Sequence, residues 1–447
     1  MTQKPTPTQR LVSTLRHAGP QSPAQLMDRL GVSQPTLYRA AQAEPDRVFS
    51  LGARRNRKLA AAREIPGLGT SIPVFQVNPE GDIDQVGKVL CIQPHSYAFV
   101  LDQNPNSPRY YAGLPAFLAD ARPQGFLGDL FARKHADLGL PPRTKDWTAE
   151  DVLVAMAKRG EDLRGNILIG EESFLRYQAR QNQQIPVVAE ENLKAFYEAT
   201  AEAALLGDAE GPLVGGIQPK FTALVEDERG NPKPVIVKFS PAGETFDARR
   251  WRDLLVCEWI ALEVLRDAEI ETANGRLVET GGRVFLEVER FDRIGGHGRR
   301  RVLSFASLGT LPLGRKESWG AAAAQLLHEG KLLREDFARV EVLECFARFL
   351  GNNDRSPDNI SFLWTPGSST ATLAPVYDML PMQFAPSAAG TGGDGVYVAP
   401  LRESALLKAW EETKPLAVTY WERVREDERI SREMKRIAEQ ALAAIGS

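Results

Sequence analysis

The 447-residue sequence predicts an α+β fold, with a small N-terminal head followed by a larger body that mixes strands and helices. Three observations predict it. Residues 1–64 contain short helical segments separated by glycine turns, and the middle of the chain has runs of strand character. Further on, an amphipathic helical pattern at 340–350 stops at Gly351, before a loop rich in Asp and Asn. The length allows several domains, each with its own core.

Composition favours a globular cytoplasmic protein. Hydrophobic residues make up 43% and charged residues 25% of the chain, and no run approaches the roughly 18 apolar residues of a membrane span. We therefore expect no membrane partner. The three cysteines, Cys91, Cys257 and Cys345, lie far apart, which predicts buried free thiols.

The head, residues 1–64, is basic. It carries a net charge of +7, against −10 for the rest of the chain. This asymmetry predicts that the head alone meets nucleic acid.

Helical segments in the head lie at 9–17, 22–30 and 33–41, and each of the last two opens with a serine and has a proline in its first turn. Residues 47–52 and 58–60 would pair as a hairpin with a basic tip. Two helices joined at Gly31 and followed by such a hairpin resemble a winged helix-turn-helix domain. The alternative is a small helical packing module with a solvated basic tip.

In the winged interpretation the last helix enters the major groove of DNA and the hairpin contacts phosphates or the minor groove. The predicted base-reading side chains are Gln34, Thr36, Tyr38 and Arg39. The predicted hairpin contacts are Arg54, Arg55, Arg57 and Lys58.

Residues 70–185 are expected to form a second domain, after a linker at 66–69. Strand patterns lie at 74–77, 84–92 and 97–101, and helical patterns at 116–121, 125–138 and 149–158. This stretch shows no pattern of catalytic residues.

Residues 186–300 contain candidate nucleotide-binding groups. Gly215 and Gly216 precede a strand at 221–225, and glycines let backbone N–H groups approach phosphates, although a plain turn is the alternative. Lys238 lies within the apolar strand 234–239, where a cation needs an anionic partner. Glu258, within the helical pattern 251–265, would pair with it, as kinases pair a strand lysine with a helix glutamate. The strand at 283–293 ends in a charged turn that could read adenine, with Phe291 against the ring and Asp292 near the ribose.

Residues 301–447 would form a second lobe. Asp354 and Asn359 lie on the loop past Gly351, and a hairpin of strands 360–364 and 373–377 would bring them close to Asp378. In phosphoryl transfer one carboxylate positions the attacking hydroxyl, while an amide and a second carboxylate hold magnesium. Turn chemistry alone also enriches loops in Asp and Asn. The order of glycine pair, strand lysine, helix glutamate, hinge strand, Asp-x4-Asn and strand-terminal Asp favours a two-lobed, protein-kinase-type fold that uses ATP and Mg²⁺.

These motifs together resemble the HipA family of serine/threonine kinases, the toxins of bacterial toxin–antitoxin pairs. The matching pieces are Gly216-x-Gln218-x-Lys220, the 236–238 strand, Val-Glu-Arg-Phe-Asp-Arg at 288–293, Asp354-x4-Asn359 and Tyr377-Asp378. The resemblance covers about residues 75–440, and the fused head is similar to the YjjJ branch of that family.

The resemblance implies Asp354 as catalytic base, Asn359 and Asp378 as magnesium ligands, and Lys238 as a phosphate contact. It also implies Glu289 and Phe291 as adenine contacts, a protein substrate and an antitoxin partner. The chain departs from the family pattern at two positions. The serine whose phosphorylation switches these toxins off is matched by Leu213, and the usual catalytic-loop histidine is matched by Ser356.

Two other functions remain open. The body could bind a nucleotide only as a signal in a DNA-binding transcriptional regulator, or the chain could be a small-molecule phosphotransferase. The joint presence of Asp354, Asn359, Asp378 and Lys238 favours an enzyme, because a sensor has no chemical need for the base.

Overall fold

The computed structural model describes residues 5–183, 186–206, 218–305, 307–308, 318–365, 368–386, 395–403 and 406–446, apart from the side chain of Arg54. The chain divides into two compact units. The first consists of Met1–Pro123, Ala136–Leu163 and Ile167–Gln184, and the second of Gln124–His135, Arg164–Asn166 and Ile185–Ser447. Within the described ranges, no helix is long and apolar enough to cross a membrane.

The first unit begins with the three predicted helices and the predicted hairpin. These are α1 (Pro7–Ala18), α2 (Pro23–Leu30), α3 (Gln34–Gln42), β1 (Val48–Leu51) and β2 (Lys58–Ala61). Thr6 and Ser22 cap α1 and α2 in capping boxes, each with a proline in the first turn. Gly31 ends α2 in the left-handed region, at a φ of 65°.

A five-stranded antiparallel sheet follows, in the order β6-β5-β4-β3-β7. Its strands are β3 (Ser71–Val77), β4 (Ile83–Ile92), β5 (Ser96–Leu101), β6 (Asn104–Tyr111) and β7 (Ile167–Ile169). The three predicted strands are present, but β6 and β7 were not predicted. β6 contains two prolines and few apolar residues, and β7 has three residues, so neither shows a strand pattern.

The helices of this stretch are α4 (Ala116–Ala119), α5 (Gly125–Lys134), α6 (Ala149–Arg159) and α7 (Glu171–Gln181). α5 belongs to the second unit. The expected linker at 66–69 is part of a tight turn, in which Ile65 and Gly69 exchange backbone hydrogen bonds.

The second unit contains a four-stranded antiparallel sheet in the order β10-β11-β9-β8. Its elements are α8 (Leu193–Leu206), β8 (Lys220–Glu226), β9 (Pro232–Phe239), α9 (Phe246–Asp267), β10 (Gly275–Thr280) and β11 (Arg283–Glu289). α8 packs on one face of the sheet and α9 on the other. The predicted strands at 221–225 and 234–239 and the helix at 251–265 are therefore confirmed.

The rest of this unit is mostly helical. Its elements are β12 (Arg293–Ile294), β13 (Gly298–Arg299), β14 (Val302–Ser304), α10 (Trp319–His328), α11 (Arg334–Leu350), β15 (Ser361–Leu363), β16 (Thr372–Leu373), α12 (Leu407–Glu426) and α13 (Arg432–Gly446). The predicted hairpin is present, with Phe362 opposite Leu373. One large core joins α9 to α10–α13. Cys91, Cys257 and Cys345 are free and buried, as predicted.

Candidate active site

The alternation of side chains along β9 aims Lys238 at α9. Val237 and Phe239 pack toward α8, so Lys238 faces the opposite side of the sheet. Its Nζ donates to Glu258 Oε1 at 2.6 Å and also to Asp378 Oδ1. Lys238 is 5% exposed and Glu258 is fully buried. The structure thus brings together three predicted residues that are up to 140 positions apart in the chain.

Lys238 and Asp378 stabilise each other's ionised form. Burial lowers the pKa of Lys238, but the carboxylates of Asp378 and Glu258 outweigh burial and raise that pKa above its ordinary value. Burial raises the pKa of Asp378, yet the Lys238 and Lys220 ammonium groups bring it below the ordinary range. Burial dominates at Glu258 and raises its pKa. The cluster therefore presents a cation and an anion, which suit a phosphate and a metal ion respectively.

Lys220 lies beside Lys238, because the two residues are directly opposite each other on β8 and β9. It is 3% exposed. Burial and the Lys238 charge together lower its pKa to about 8, against the opposing effect of Asp378, Glu258 and Asp354. A second buried cation next to Lys238 is favourable when an anion such as a polyphosphate enters the site.

We expect nucleotide affinity to fall as the pH rises through about 8, the pKa of Lys220 in the free chain. Above that pH Lys220 is neutral in the free chain. Binding of a polyphosphate then requires Lys220 to take up a proton from solution, and this protonation lowers the affinity. Titrating the chain with ATP at pH values on either side of this pKa tests the expectation. In Lys220→Arg the charge does not titrate. Unchanged affinity across this range in the unsubstituted chain would contradict it.

The loop that carries Asp354 is fixed at both ends. Gly351 ends α11 with a φ of 74°, and a Cβ on it would lie 2.6 Å from Gln383 Cδ, so glycine is required there. Asn352 is buried, and its Oδ1 accepts from the Asp354 N–H at 3.0 Å. Its Nδ2 donates to the Asp378 carbonyl at 3.4 Å. Asn352 thus links the two segments that hold the predicted acidic residues.

Asp378 has a φ of 53°, a left-handed conformation that side-chain-bearing residues adopt infrequently. Its N–H donates to Glu258 Oε1 at 3.2 Å. The backbone is therefore held from the α9 side as well as by Asn352. Such strain at a candidate metal ligand is consistent with a functional constraint.

Asn359 and Asp354 lie at either end of the same short segment. Ser356 Oγ accepts from the Asp358 N–H at 3.3 Å and so caps the 3₁₀ turn Pro357–Asn359. Asn359 Nδ2 donates to the Asp354 carbonyl at 2.7 Å. This bond uses only the amide nitrogen. The amide oxygen is the atom that would bind magnesium, and this bond does not involve it. The Asp354 side chain is exposed.

A cleft with an empty volume of about 840 Å³ passes beside these groups. The predicted residues that line it are Lys220, Lys238, Glu258, Glu289, Phe291, Asp292, Asn359 and Asp378. Ile236 and Val288 form an apolar part of the cleft wall. The centres of the Phe291 and Tyr377 rings are 5.6 Å apart. Glu289 Oε2 accepts from Asn274 Nδ2 at 3.2 Å.

The Asp292 carboxylate is engaged by the protein itself. Arg290 donates to both oxygens, at 3.0 and 2.9 Å, and Arg293 and the Gly165 N–H donate to Oδ2 at 2.8 and 2.9 Å. Burial alone would raise the pKa of Asp292, but the two guanidinium groups hold it well below its usual range. This network stabilises the turn after β11, and the proposed contact of Asp292 with a ribose stays a prediction.

Two further residues line the cleft that were not identified from the sequence, Gln124 and Arg164. Arg164 donates to the Tyr377 hydroxyl at 3.0 Å and also to Ser361. Its charge helps to lower the pKa of Asp378. Both residues lie in the stretch for which no chemistry was expected, and no local pattern marks them.

The site fits a nucleotide with magnesium. Gln218 Nε2, two residues before Lys220, is buried and has no hydrogen-bond partner among the described residues, so this donor is not already engaged. Asn359 and Asp378 would supply oxygen ligands, and magnesium is usually held by few protein oxygens together with phosphates and water. Gly215, Gly216 and Leu213 lie outside the described residues.

The predicted DNA-binding residues lie on α3 and on the basic hairpin of the first unit. Gln34, Arg39, Arg55 and Lys58 are exposed, and Thr36, Tyr38 and Arg57 are half-buried. The Arg57 guanidinium lies 5.5 Å from the centre of the Tyr38 ring, so the hairpin contacts α3.

Comparisons with known proteins show which family the chain resembles. A family model described as "YjjJ-like toxin, middle domain" matches residues 68–178, and one described as "HipA-like C-terminal domain" matches residues 213–446. The Toxin YjjJ of Escherichia coli (strain K12) is 34% identical over 425 residues, which cover 94% of each chain.

Among solved structures, HipA of Shewanella oneidensis MR-1, determined with HipB and operator DNA, aligns with a TM-score of 0.52. The alignment covers 83% of this chain and 96% of that one at 17% identity, so it shows a shared fold. From the two matched models and the extent of the YjjJ relative, the chain belongs to the HipA family, among the YjjJ-like toxins.

Proposed function

We propose that the chain is an ATP- and Mg²⁺-dependent serine/threonine protein kinase that acts as a cytoplasmic toxin and binds DNA through its own winged head. The observation that carries the kinase part is the cluster of Lys238, Glu258 and Asp378. It lines the same cleft as Asn359, and Asp354 lies on the adjoining loop.

In this proposal Asp354 accepts the proton of a substrate hydroxyl. The hydroxyl oxygen bonds to the γ-phosphorus of ATP, and the bond between that phosphorus and the β–γ bridging oxygen breaks to release ADP. Lys238, Lys220 and Gln218 contact the phosphates. A phosphate contact of Gly215 and Gly216, which lie outside the described residues, stays a prediction from the sequence. Magnesium, held by Asn359 and Asp378, would neutralise charge that develops on the phosphate oxygens. Glu258 orients Lys238.

The partners follow from the family and from the head. HipA of Shewanella oneidensis was solved with HipB and operator DNA, and the YjjJ relative is named a toxin. We infer that this chain also meets an antitoxin and DNA. The basic hairpin and the exposed face of α3 support the DNA contact.

Incubating the full chain with γ-labelled ATP, Mg²⁺ and cell extract tests the activity and its rivals. Label in a protein band supports a protein kinase. Label in a small molecule indicates a small-molecule phosphotransferase, and no transfer despite ATP binding indicates a nucleotide-sensing regulator. Phosphoamino-acid analysis of the band separates serine and threonine from other acceptors.

For the head, we expect Arg55→Ala with Arg57→Ala to weaken binding of the full chain to all DNA duplexes. Each phosphate contact that is lost should flatten the slope of log affinity against log salt by about 0.9. Changing Gln34 or Arg39 should instead alter preference between sequences, by about 1–3 kcal/mol if either makes a bidentate base contact. Binding isotherms at several salt concentrations give both quantities. Unaltered DNA binding in the double variant would show that the hairpin does not contact DNA.

A further inference from the structure

Beside the basic hairpin lies a groove with an empty volume of about 700 Å³, which we call the phosphate groove. One wall is the hairpin tip and the other is β6, the edge strand of the five-stranded sheet. It is lined by Ser22, Gly52, Arg55, Asn56, Arg57, Lys58, Asn106, Ser107, Pro108 and Tyr110.

The two walls are held together within the first unit. The hairpin residues Leu51 and Ala60 share a small core with Leu90, Ile92, Ala98 and Val100 of the sheet. Backbone bonds continue this packing, from Arg63 N–H to the Cys91 carbonyl at 2.8 Å and from Gln93 N–H to the Ala61 carbonyl at 2.9 Å. Because hairpin and sheet form one core, β6 has a fixed position next to the hairpin tip.

The chemistry of the groove suits an anion. Arg55, Arg57 and Lys58 line one wall, and no carboxylate is among the described residues that line it. Within the described part of the chain, Arg57 Nε is a buried donor with no hydrogen-bond partner, and such donors normally have one. Lys58 Nζ lies 5.0 Å from the centre of the Tyr110 ring and joins the walls.

The β6 wall adds neutral hydrogen-bonding side chains. Asn106, Ser107 and Tyr110 are exposed there, and all three types can donate to a phosphate oxygen. Pro105 and Pro108 remove two backbone donors from this strand, which makes it a poor edge for pairing with another strand. A ligand that binds through side chains fits this edge better than an added β-strand.

We propose that β6 is part of the DNA-binding surface, and that the sugar–phosphate backbone of duplex DNA occupies the phosphate groove. Asn106, Ser107 and Tyr110 contact phosphates from one side, and the three cations contact them from the other. This inference rests on the proposed DNA binding by the head and extends it to the middle domain, which would fix the orientation of the duplex rather than read its sequence.

The test uses the full chain, a mixed-sequence DNA duplex and two variants of the β6 wall, Asn106→Asp and Ser107→Glu. Each places a negative charge in the groove. Gln103→Glu is the matched control. Gln103 is exposed in the turn between β5 and β6, outside the groove, and the charge change is the same. Arg55→Ala reports on the hairpin, and circular dichroism checks that each variant folds.

We expect both β6 variants to bind duplex at least about threefold more weakly than Gln103→Glu, with a salt slope reduced by up to about 0.9 for each lost phosphate contact. If Arg55→Ala weakens binding while the β6 variants match Gln103→Glu, the hairpin binds DNA and this inference is wrong. If the unsubstituted chain binds no duplex, or binds an acidic protein segment at the groove instead, the proposed DNA binding fails with it.

Discussion

Replacing Asp354 with alanine should lower phosphoryl transfer by on the order of 10²–10⁴-fold while changing ATP affinity by no more than a few-fold. The carboxylate is exposed on the loop after α11, and its proposed partner is the substrate hydroxyl rather than the nucleotide. Removing it takes away the base and leaves Lys238, Lys220 and the metal ligands in place. Initial rates of label transfer and equilibrium binding of a fluorescent ATP analogue measure the two effects separately.

Asn353→Ala is the matched control, because Asn353 is the exposed neighbour of Asp354 in the same loop. It should retain the rate of the unsubstituted chain. Asp378→Ala should differ from both, since it removes a magnesium ligand and should weaken Mg²⁺-dependent nucleotide binding as well as transfer. Full activity in Asp354→Ala would mean that another group accepts the proton, and the loop would need a different role.

The sequence was sufficient for those parts of the site that obey local rules. Alternation along β9 and helical spacing in α9 predicted Lys238 and Glu258, and Gly351 predicted the end of α11. These signals are local because each depends on neighbours within a few residues. The direct contact of Lys238 with Asp378 was not predicted, because the sequence patterns paired Lys238 only with Glu258.

The remaining features depend on contacts that are distant in the chain. Arg164 reaches the cleft through hydrogen bonds to residues 197 and 213 positions later, and no spacing rule connects them. Asn352 resembled an ordinary turn residue, yet it ties Asp354 to Asp378. β6 lacks the alternating apolar pattern of a strand because most of its side chains are polar and exposed. Pattern analysis cannot find a residue whose role is defined by a partner on another element.

The second large effect is expected at Lys238. Lys238→Met should abolish transfer and also lower the free energy of unfolding by about 3–5 kcal/mol, because it leaves the Glu258 and Asp378 carboxylates close together without their cation. Lys408→Met is the control. Lys408 is 90% exposed and its pair with Glu412 is at the surface, so the change should be within about 0.5 kcal/mol.

The pH dependence distinguishes lost electrostatics from a simple packing defect. In the unsubstituted chain the pKa of Asp378 lies below its ordinary value, so its contribution is present above that ordinary value and is lost as the pH falls through the folded-state pKa. The raised pKa of Lys238 gives stability that is present below its ordinary value and is lost at higher pH. Without Lys238 the carboxylates should bind protons more readily in the folded state, so the stability of Lys238→Met should rise as the pH is lowered from about 7 to about 5.

Adding Glu258→Gln to Lys238→Met should recover part of the stability but none of the activity. Urea unfolding of the nucleotide-free variants at both pH values measures this, and a loss in Lys238→Met that is equal at both would show that the ion pairs do not stabilise the site.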